Sequence, residues 1–278
     1  MTSEEVLTDV ELDLLLEGIL RTYHYDFRHY VRSSLGRRIE RALSALGFTT
    51  ITSLLDRVLR DPHVFQELLG HITIQVSDFF RDPPYWRALR ETVLPHLATY
   101  PFVRVWVAGC GAGEEAYSMA ILLAEEGLLE RAQIYATDIS LSSLDAARAG
   151  IYELDRVRSF SENYFASGGR GSLADYYTTA YAQTSFDAAL RKRILFSDHS
   201  LATDVAFAEV QLVSCRNVLI YFDRSLQDRA FGIFLDALCP RGFLGLGAQE
   251  TPMFSSHVAA LEPCAERERI YRRRAVAC

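Results

Sequence analysis

Val103-Arg104-Val105-Trp106-Val107-Ala108-Gly109-Cys110-Gly111-Ala112-Gly113-Glu114-Glu115 combines two kinds of local grammar. A β-rich run of six residues breaks at three alternating glycines, and a helical pattern continues from Glu114 to Glu126. Gln133 to Thr137 reads as a second short strand ending at Asp138, and Leu141 to Ala149 as a helix. Arg193 to Phe196, Val210 to Ser214 and Gly242 to Gly247 read as further strands, with a helix over Arg224 to Leu238. Strands that alternate with helices predict an α/β fold on a mainly parallel sheet. Between Ile151 and Lys192 the alternation fails. That stretch holds Ser167-Gly168-Gly169-Arg170-Gly171-Ser172 and a Tyr/Thr-rich run from Tyr176 to Thr184, and it reads as an insertion with its own turn and short strands.

Toward the N-terminus the first ~75 residues carry helical spacing only. The apolar sets are Leu12, Leu15, Leu16, Ile19 and Leu20; then Phe27, Val31, Leu35, Ile39 and Leu43; then Leu54, Leu55, Val58 and Leu59; then Val64, Phe65, Leu68, Leu69 and Ile72. Asp61-Pro62 reads as an N-cap followed by proline at the first helical position. The expected organisation is a helical domain over 1–75 and an α/β domain over 76–278, the latter interrupted at about 152–192.

The 278 residues are 49% hydrophobic, enough for a core that needs no disulfide or metal. The net charge of −7 argues against a protein devoted to duplex DNA, which wants a basic face. No uncharged apolar stretch approaches the ~18 residues of a membrane span, and Met1 to Asp13 has no basic n-region. A cytoplasmic chain without membrane insertion is the expectation. Cys110, Cys215, Cys239, Cys264 and Cys278 form no C-x-x-C pair and no zinc spacing, so they are expected as reduced thiols, and no metal is expected.

The glycine turn suits a nucleotide-type cofactor at the C-terminal edge of the sheet, because glycine lets a ligand approach the backbone closely. The spacing is G-x-G-x-G; where a dinucleotide fingerprint has its third glycine, this chain has Glu114. Two acids at the helix start, Glu114 and Glu115, would repel a pyrophosphate. They suit S-adenosylmethionine, which carries a sulfonium, an ammonium and a ribose diol but no phosphate. Asp138, at the end of the next strand, is placed to accept ribose hydroxyls.

Five blocks in order resemble the CheR-type chemoreceptor glutamate O-methyltransferases. They are Ser77-Asp78-Phe79-Phe80-Arg81; Arg104-Val105-Trp106 running into Gly113-Glu114-Glu115-Ala116-Tyr117-Ser118; Tyr135-Ala136-Thr137-Asp138-Ile139; Ala149-Gly150-Ile151-Tyr152; and Ser214-Cys215-Arg216-Asn217-Val218-Leu219-Ile220-Tyr221-Phe222. The similarity runs from about Leu12 to the C-terminus. It implies a small helical domain before an S-adenosylmethionine-dependent, Rossmann-like methyltransferase domain that carries an inserted β-subdomain. It places Ser77 and Arg81 near the methionine end and the reacting centre, Glu115 on the amino acid portion, and Asp138 on the ribose. Gly109 and Gly111 of the loop, Leu201, and the pair Arg216 and Asn217 complete the expected cofactor set. Gln75 and Ser200 stand where the family has Asn, and both are able to hydrogen-bond.

The implied reaction moves a methyl group to a glutamate side chain of a chemoreceptor cytoplasmic domain. A carboxylate with a pKa of about 4.3 is already nucleophilic at neutral pH, so no general base is needed. The enzyme has to align it and strip its water. Arg81 is the expected carboxylate holder, because guanidinium matches a carboxylate as a fork, and Tyr221 the expected closing residue at the acceptor. Arg28, Arg32, Arg37, Arg38 and Arg41 read as one basic helical stretch that docks Glu-rich methylation helices, against the alternative of a solvated face with ion pairs. In some family members the insertion grips the receptor C-terminal tail as an added strand, and here that binding stays open. Two other readings stand beside this one. The departures at Gln75 and Ser200 allow a regulatory or scaffolding relative that binds cofactor without transfer. Asp82-Pro83-Pro84-Tyr85 spells the motif of adenine-N6 methyltransferases, but no strand precedes it, so Asp82 reads instead as an N-cap.

Overall fold

A computed structural model describes residues 3–73 and 77–275. The chain divides into two compact units. The first holds the described part of residues 1–74 together with Ser200–Asp204 and Tyr221–Ala230. Its helices are α1 (Ser3–Tyr23), α2 (Arg32–Leu46), α3 (Ile51–Arg60) and α4 (Pro62–Ile72). Leu12, Leu15, Leu16 and Ile19 on α1, Leu35 and Ile39 on α2, Leu54 and Val58 on α3, and Phe65, Leu68 and Leu69 on α4 are all buried, so the helical spacing in the sequence is the core of this unit. Asp61 caps α4 as its sequence suggests, accepting from the His63 N–H at 3.0 Å with Pro62 first in the helix.

The basic stretch is revised. Residues 24–31 are not helical, so Phe27 and Val31 precede α2 rather than lying on it. Arg28 lies in that segment, paired with Asp26 and Glu17; Arg32 pairs with Asp9 and Asp13. Arg38 is buried: Nη1 donates to the Ile72 carbonyl at 2.5 Å, and the guanidinium lies 4.4 Å from the Tyr221 ring centroid. Arg37 and Arg41 remain exposed on α2.

The second unit is built on a seven-stranded sheet. Its strands are β1 (Val103–Ala108), β2 (Ala132–Asp138), β6 (Ile194–Asp198), β7 (Val210–Cys215), β8 (Leu238–Leu246), β9 (Leu261–Ala265) and β10 (Ile270–Arg273), in the order β6-β2-β1-β7-β8-β10-β9. The five from β6 to β8 are parallel, and β10 runs antiparallel between β8 and β9. The inner strands β1 and β7 are buried almost throughout, as a sheet covered on both faces demands. Helix α7 (Glu114–Glu125) returns the chain from β1 to β2, and α8 (Leu141–Ala149) follows β2. Strand order reverses between β1 and β7, which places a ligand crevice at their C-terminal ends. Between β7 and β8 lies α11 (Arg224–Ala237). Strand β8 begins four residues before the expected Gly242, and it is followed by an unexpected closing hairpin, β9–β10, whose register is shifted between Ile270 and Tyr271.

The insertion holds an antiparallel sheet, β3 (Ile151–Glu153), β4 (Tyr177–Ala180) and β5 (Gln183–Phe186), in the order β3-β5-β4. It also holds a helix the sequence reading lacks, α9 (Leu154–Ala166). The glycine turn at 168–171 is not a hairpin tip. Arg170 donates to Glu126 just past the end of α7, and the Gly171 N–H donates to the Tyr164 hydroxyl at 3.0 Å.

Candidate active site

The glycine turn leaves β1 tightly bound to the end of β2. The N–H groups of Gly109 and Cys110 both donate to the Thr137 carbonyl, at 2.7 and 2.9 Å. Gly109 has φ +74°, and a Cβ there would meet the Val218 side chain at 2.3 Å, so the loop after β7 packs where only glycine leaves room. Gly111, at φ +53°, has open space where a Cβ would stand, which is the face a ligand can occupy. Asp138 spans the turn: Oδ2 accepts from the Gly111 N–H at 2.8 Å and Oδ1 from the Ser140 N–H at 2.9 Å. Each oxygen keeps acceptor capacity for a hydroxyl. Burial pushes this carboxyl above its ordinary range, while backbone N–H groups pull it back.

Arg216, one residue past β7, joins the acidic residue to the Arg81 segment. Its side chain is 1% exposed. Nη1 lies 3.3 Å from Glu115 Oε2, and Nη2 lies 2.8 Å from both the Arg81 carbonyl and Asp82 Oδ2. The guanidinium stacks 4.1 Å from the centroid of Tyr85. Ser214 at the end of β7 donates to Glu115 Oε1 at 2.6 Å and shares a 2.8 Å hydrogen bond with the Tyr85 hydroxyl. Complete burial drives the Tyr85 phenol far upward, so it stays protonated. Arg216 Nε is buried and has no hydrogen-bond partner among the described residues.

Asp82 stands at the N-cap position of α5 (Pro83–Ala88), but its carboxylate caps nothing; it is turned to Arg216. The N-cap reading of its side chain is therefore corrected. Phe80 and Asp82 both have left-handed backbone, φ +52° and +57°, on either side of Arg81. Non-glycine residues there cost about 1–3 kcal/mol each and collect at functional sites. Phe80 is held by its N–H to Ser118 Oγ at 3.0 Å, and the Arg81 carbonyl accepts from both Arg216 and Trp86. Arg81 itself is half-buried. Tyr85 is enclosed beneath Arg216, so the D-P-P-Y tyrosine offers no free ring for a base to stack on.

Asn217 follows in left-handed conformation, φ +61°. Its N–H and those of Val218, Leu219 and Gly247 donate to the buried Glu250 carboxylate at 2.6–3.0 Å. The second unit thus brings together Ser77, Arg81, Gly109, Gly111, Glu115, Asp138, Arg216 and Asn217 on the loops at the C-terminal edge of the sheet and the segment before α5. Ser200, Leu201 and Tyr221 belong to the first unit. There the Ser200 N–H donates to Asp204 Oδ2 at 2.9 Å, Leu201 is buried, and the Tyr221 carbonyl accepts from the Val31 N–H at 2.8 Å. Gln75 lies outside the described residues. Asp82, Tyr85, Ser214 and Glu250 are additions to the expected set. Asp82, Tyr85 and Ser214 lie within sequence motifs, whereas no local pattern marks Glu250.

These residues fit S-adenosylmethionine. Glu115 and Asp138 are carboxylates suited to its ammonium and ribose, Gly111 leaves an open face beside them, and a buried arginine N–H waits for an acceptor. The fold and these residues define an S-adenosylmethionine-dependent methyltransferase. Residues 75–267 match the family model "CheR methyltransferase, SAM binding domain", and residues 10–73 match "CheR methyltransferase, all-alpha domain". The chain belongs to the CheR methyltransferase family. It is 53% identical over 273 residues to a Pseudomonas putida protein named as methyltransferase Cher3, covering 98% of this chain and 100% of that one. It is 30% identical to the chemotaxis protein methyltransferase of Listeria monocytogenes (88% and 92% covered). Identity to chemotaxis protein methyltransferase 2 of Pseudomonas aeruginosa is 28% (80% and 79% covered).

Proposed function

We propose that this enzyme esterifies glutamate side chains of chemoreceptor cytoplasmic domains in a chemotaxis or related chemosensory pathway. The observation that carries the reading is the buried Arg216, which ties the cofactor acid Glu115 to the strained Arg81 turn. That link fixes the acceptor-binding arginine relative to the methyl donor, and for a nucleophile already ionised at neutral pH, alignment is the main catalytic need. S-adenosylmethionine, when bound, supplies a sulfonium-activated methyl group. Glu115 and Asp138 would hold the cofactor, and its methyl group would pass to the glutamate oxygen, with the thioether as the leaving group. Arg81 orients the carboxylate through its guanidinium. Names of relatives that include chemotaxis support the pathway. Tyr221 at the acceptor and Ser200 and Leu201 at the cofactor rest on the family resemblance, as does the domain boundary near residue 75.

Labelled methyl transfer to receptor cytoplasmic fragments tests this reading. The label should be base-labile, as a carboxyl ester is, and Arg81→Ala should lower kcat/KM by roughly 100-fold, the scale of one misplaced positioning group. Cofactor binding with no transfer to any receptor fragment would mark the chain as a non-catalytic relative. Transfer that survives Arg81→Ala would remove Arg81 from its role.

A further inference from the structure

The insertion touches the cofactor loops at four points through one stretch of chain. Tyr152 on β3 donates its hydroxyl to the Ala112 carbonyl, inside the glycine turn, at 2.7 Å. Arg156, two residues into α9, uses one nitrogen twice: Nη2 lies 2.7 Å from the Ser77 carbonyl and 3.0 Å from Glu114 Oε1. Phe160 packs against Phe79, with ring centroids 5.5 Å apart, and Asn163 Nδ2 donates to the Phe79 carbonyl at 3.3 Å. Positions 156, 160 and 163 recur at i, i+4 and i+7, so one face of α9 makes the last three of these contacts. Tyr152 and Phe186 complete an aromatic enclosure around Phe79, at 5.0 and 4.8 Å. Arg156 meets a residue with unusual needs. Glu114 opens α7 directly after the glycine turn, is wholly buried, and has a second carboxylate oxygen with no hydrogen-bond partner among the described residues. A buried carboxylate with one charged partner depends on that partner.

We infer that the insertion is a structural wall of the cofactor site, and that Arg156 is a positioning residue that locks the Ser77–Arg81 segment to the start of α7. It holds the methionine-end residues and the glycine turn in one geometry without touching the reacting atoms. The inference rests on the assignment of those two segments to the cofactor.

The test is calorimetric binding of S-adenosylhomocysteine to the full chain, which needs no methyl acceptor. Arg156 is 43% exposed on a helix, so Arg156→Gln should fold, and melting of the free protein verifies this. Its affinity should fall about 10-fold, the worth of one hydrogen bond to a charged group. Arg156→Lys should recover part of the loss. Glu114→Gln added to Arg156→Gln should cost little more, because both act through one contact. In turnover the KM for the methyl donor should rise. Wild-type affinity in Arg156→Gln would overturn the inference, as would strict additivity with Glu114→Gln or a loss confined to kcat. If the wild-type chain itself bound no S-adenosylhomocysteine, the cofactor assignment would fall and the inference with it.

Discussion

Arg216 shows how one side chain can serve several needs when it is buried. Its fork reaches Glu115, Asp82 and the Arg81 carbonyl at once, while Tyr85 covers its face. Lysine carries the charge but lacks the planar fork. Arg216→Lys should therefore weaken S-adenosylmethionine binding by at least about tenfold, equivalent to ~1.4 kcal/mol, measured by titration calorimetry. Asp138 makes a pH prediction. Its carboxyl is raised by burial, so it takes up a proton at a higher pH than an ordinary aspartate, near 3.9. If the ionised form is the ribose acceptor, affinity is full above the raised value and falls as pH drops through it. Asp138→Asn should bind more weakly and show that pH step no longer. A step unchanged in the variant would assign it to another group.

At the scale of elements, the segment after β7 owes its shape to a residue more than thirty positions away. Glu250 is 3% exposed and receives at least four backbone N–H groups, three of them from consecutive residues. Glu250→Ala would leave those donors unpaired at about 1–3 kcal/mol each. A loss of at least ~3 kcal/mol in urea-denaturation stability is expected, with cofactor affinity reduced in whatever protein remains folded. Stability unchanged by the substitution would mean that water replaces the carboxylate. Such long-range support is what local pattern cannot reveal. The strand-glycine-helix grammar of 103–126 was readable because each element satisfies its own backbone, and both the turn and the helix start appear where the residues place them. Helix α9 was hidden because Leu154, Val157, Phe160 and Tyr164 lie amid charged and glycine-rich neighbours. The β9–β10 hairpin lacks clean alternation, with Pro263 inside one strand. Arg38 shares its helical spacing with Arg37 and Arg41, yet its guanidinium is buried against Tyr221. Charge alone does not tell a solvent-facing arginine from one that stacks.

For the whole molecule, the sequence motifs point to a methyltransferase, and the structure shows how the sites are built. The acids proposed for the cofactor, the glycine turn and the Arg81 turn are legible as residue types. Their connection through Arg216, Tyr85 and Ser214 is not, because it depends on β7 lying beside β1 in the sheet. Under the proposed function, the net charge of −7 would give a glutamate-rich receptor segment an unfavourable long-range field. Binding should then depend on local arginines, with Arg37 and Arg41 the exposed pair on α2. Neutralising both should slow methylation of receptor fragments several-fold at low salt and less at high salt, where a Debye length of about 8 Å or shorter screens the attraction. The most direct test of the central claim is to map the methyl group after reaction with a receptor cytoplasmic fragment. Peptide mass spectrometry should place it on glutamate side chains as a base-labile ester, and cofactor consumption should match the ester formed. Methyl groups on another residue type, or on nucleic acid, would contradict the account.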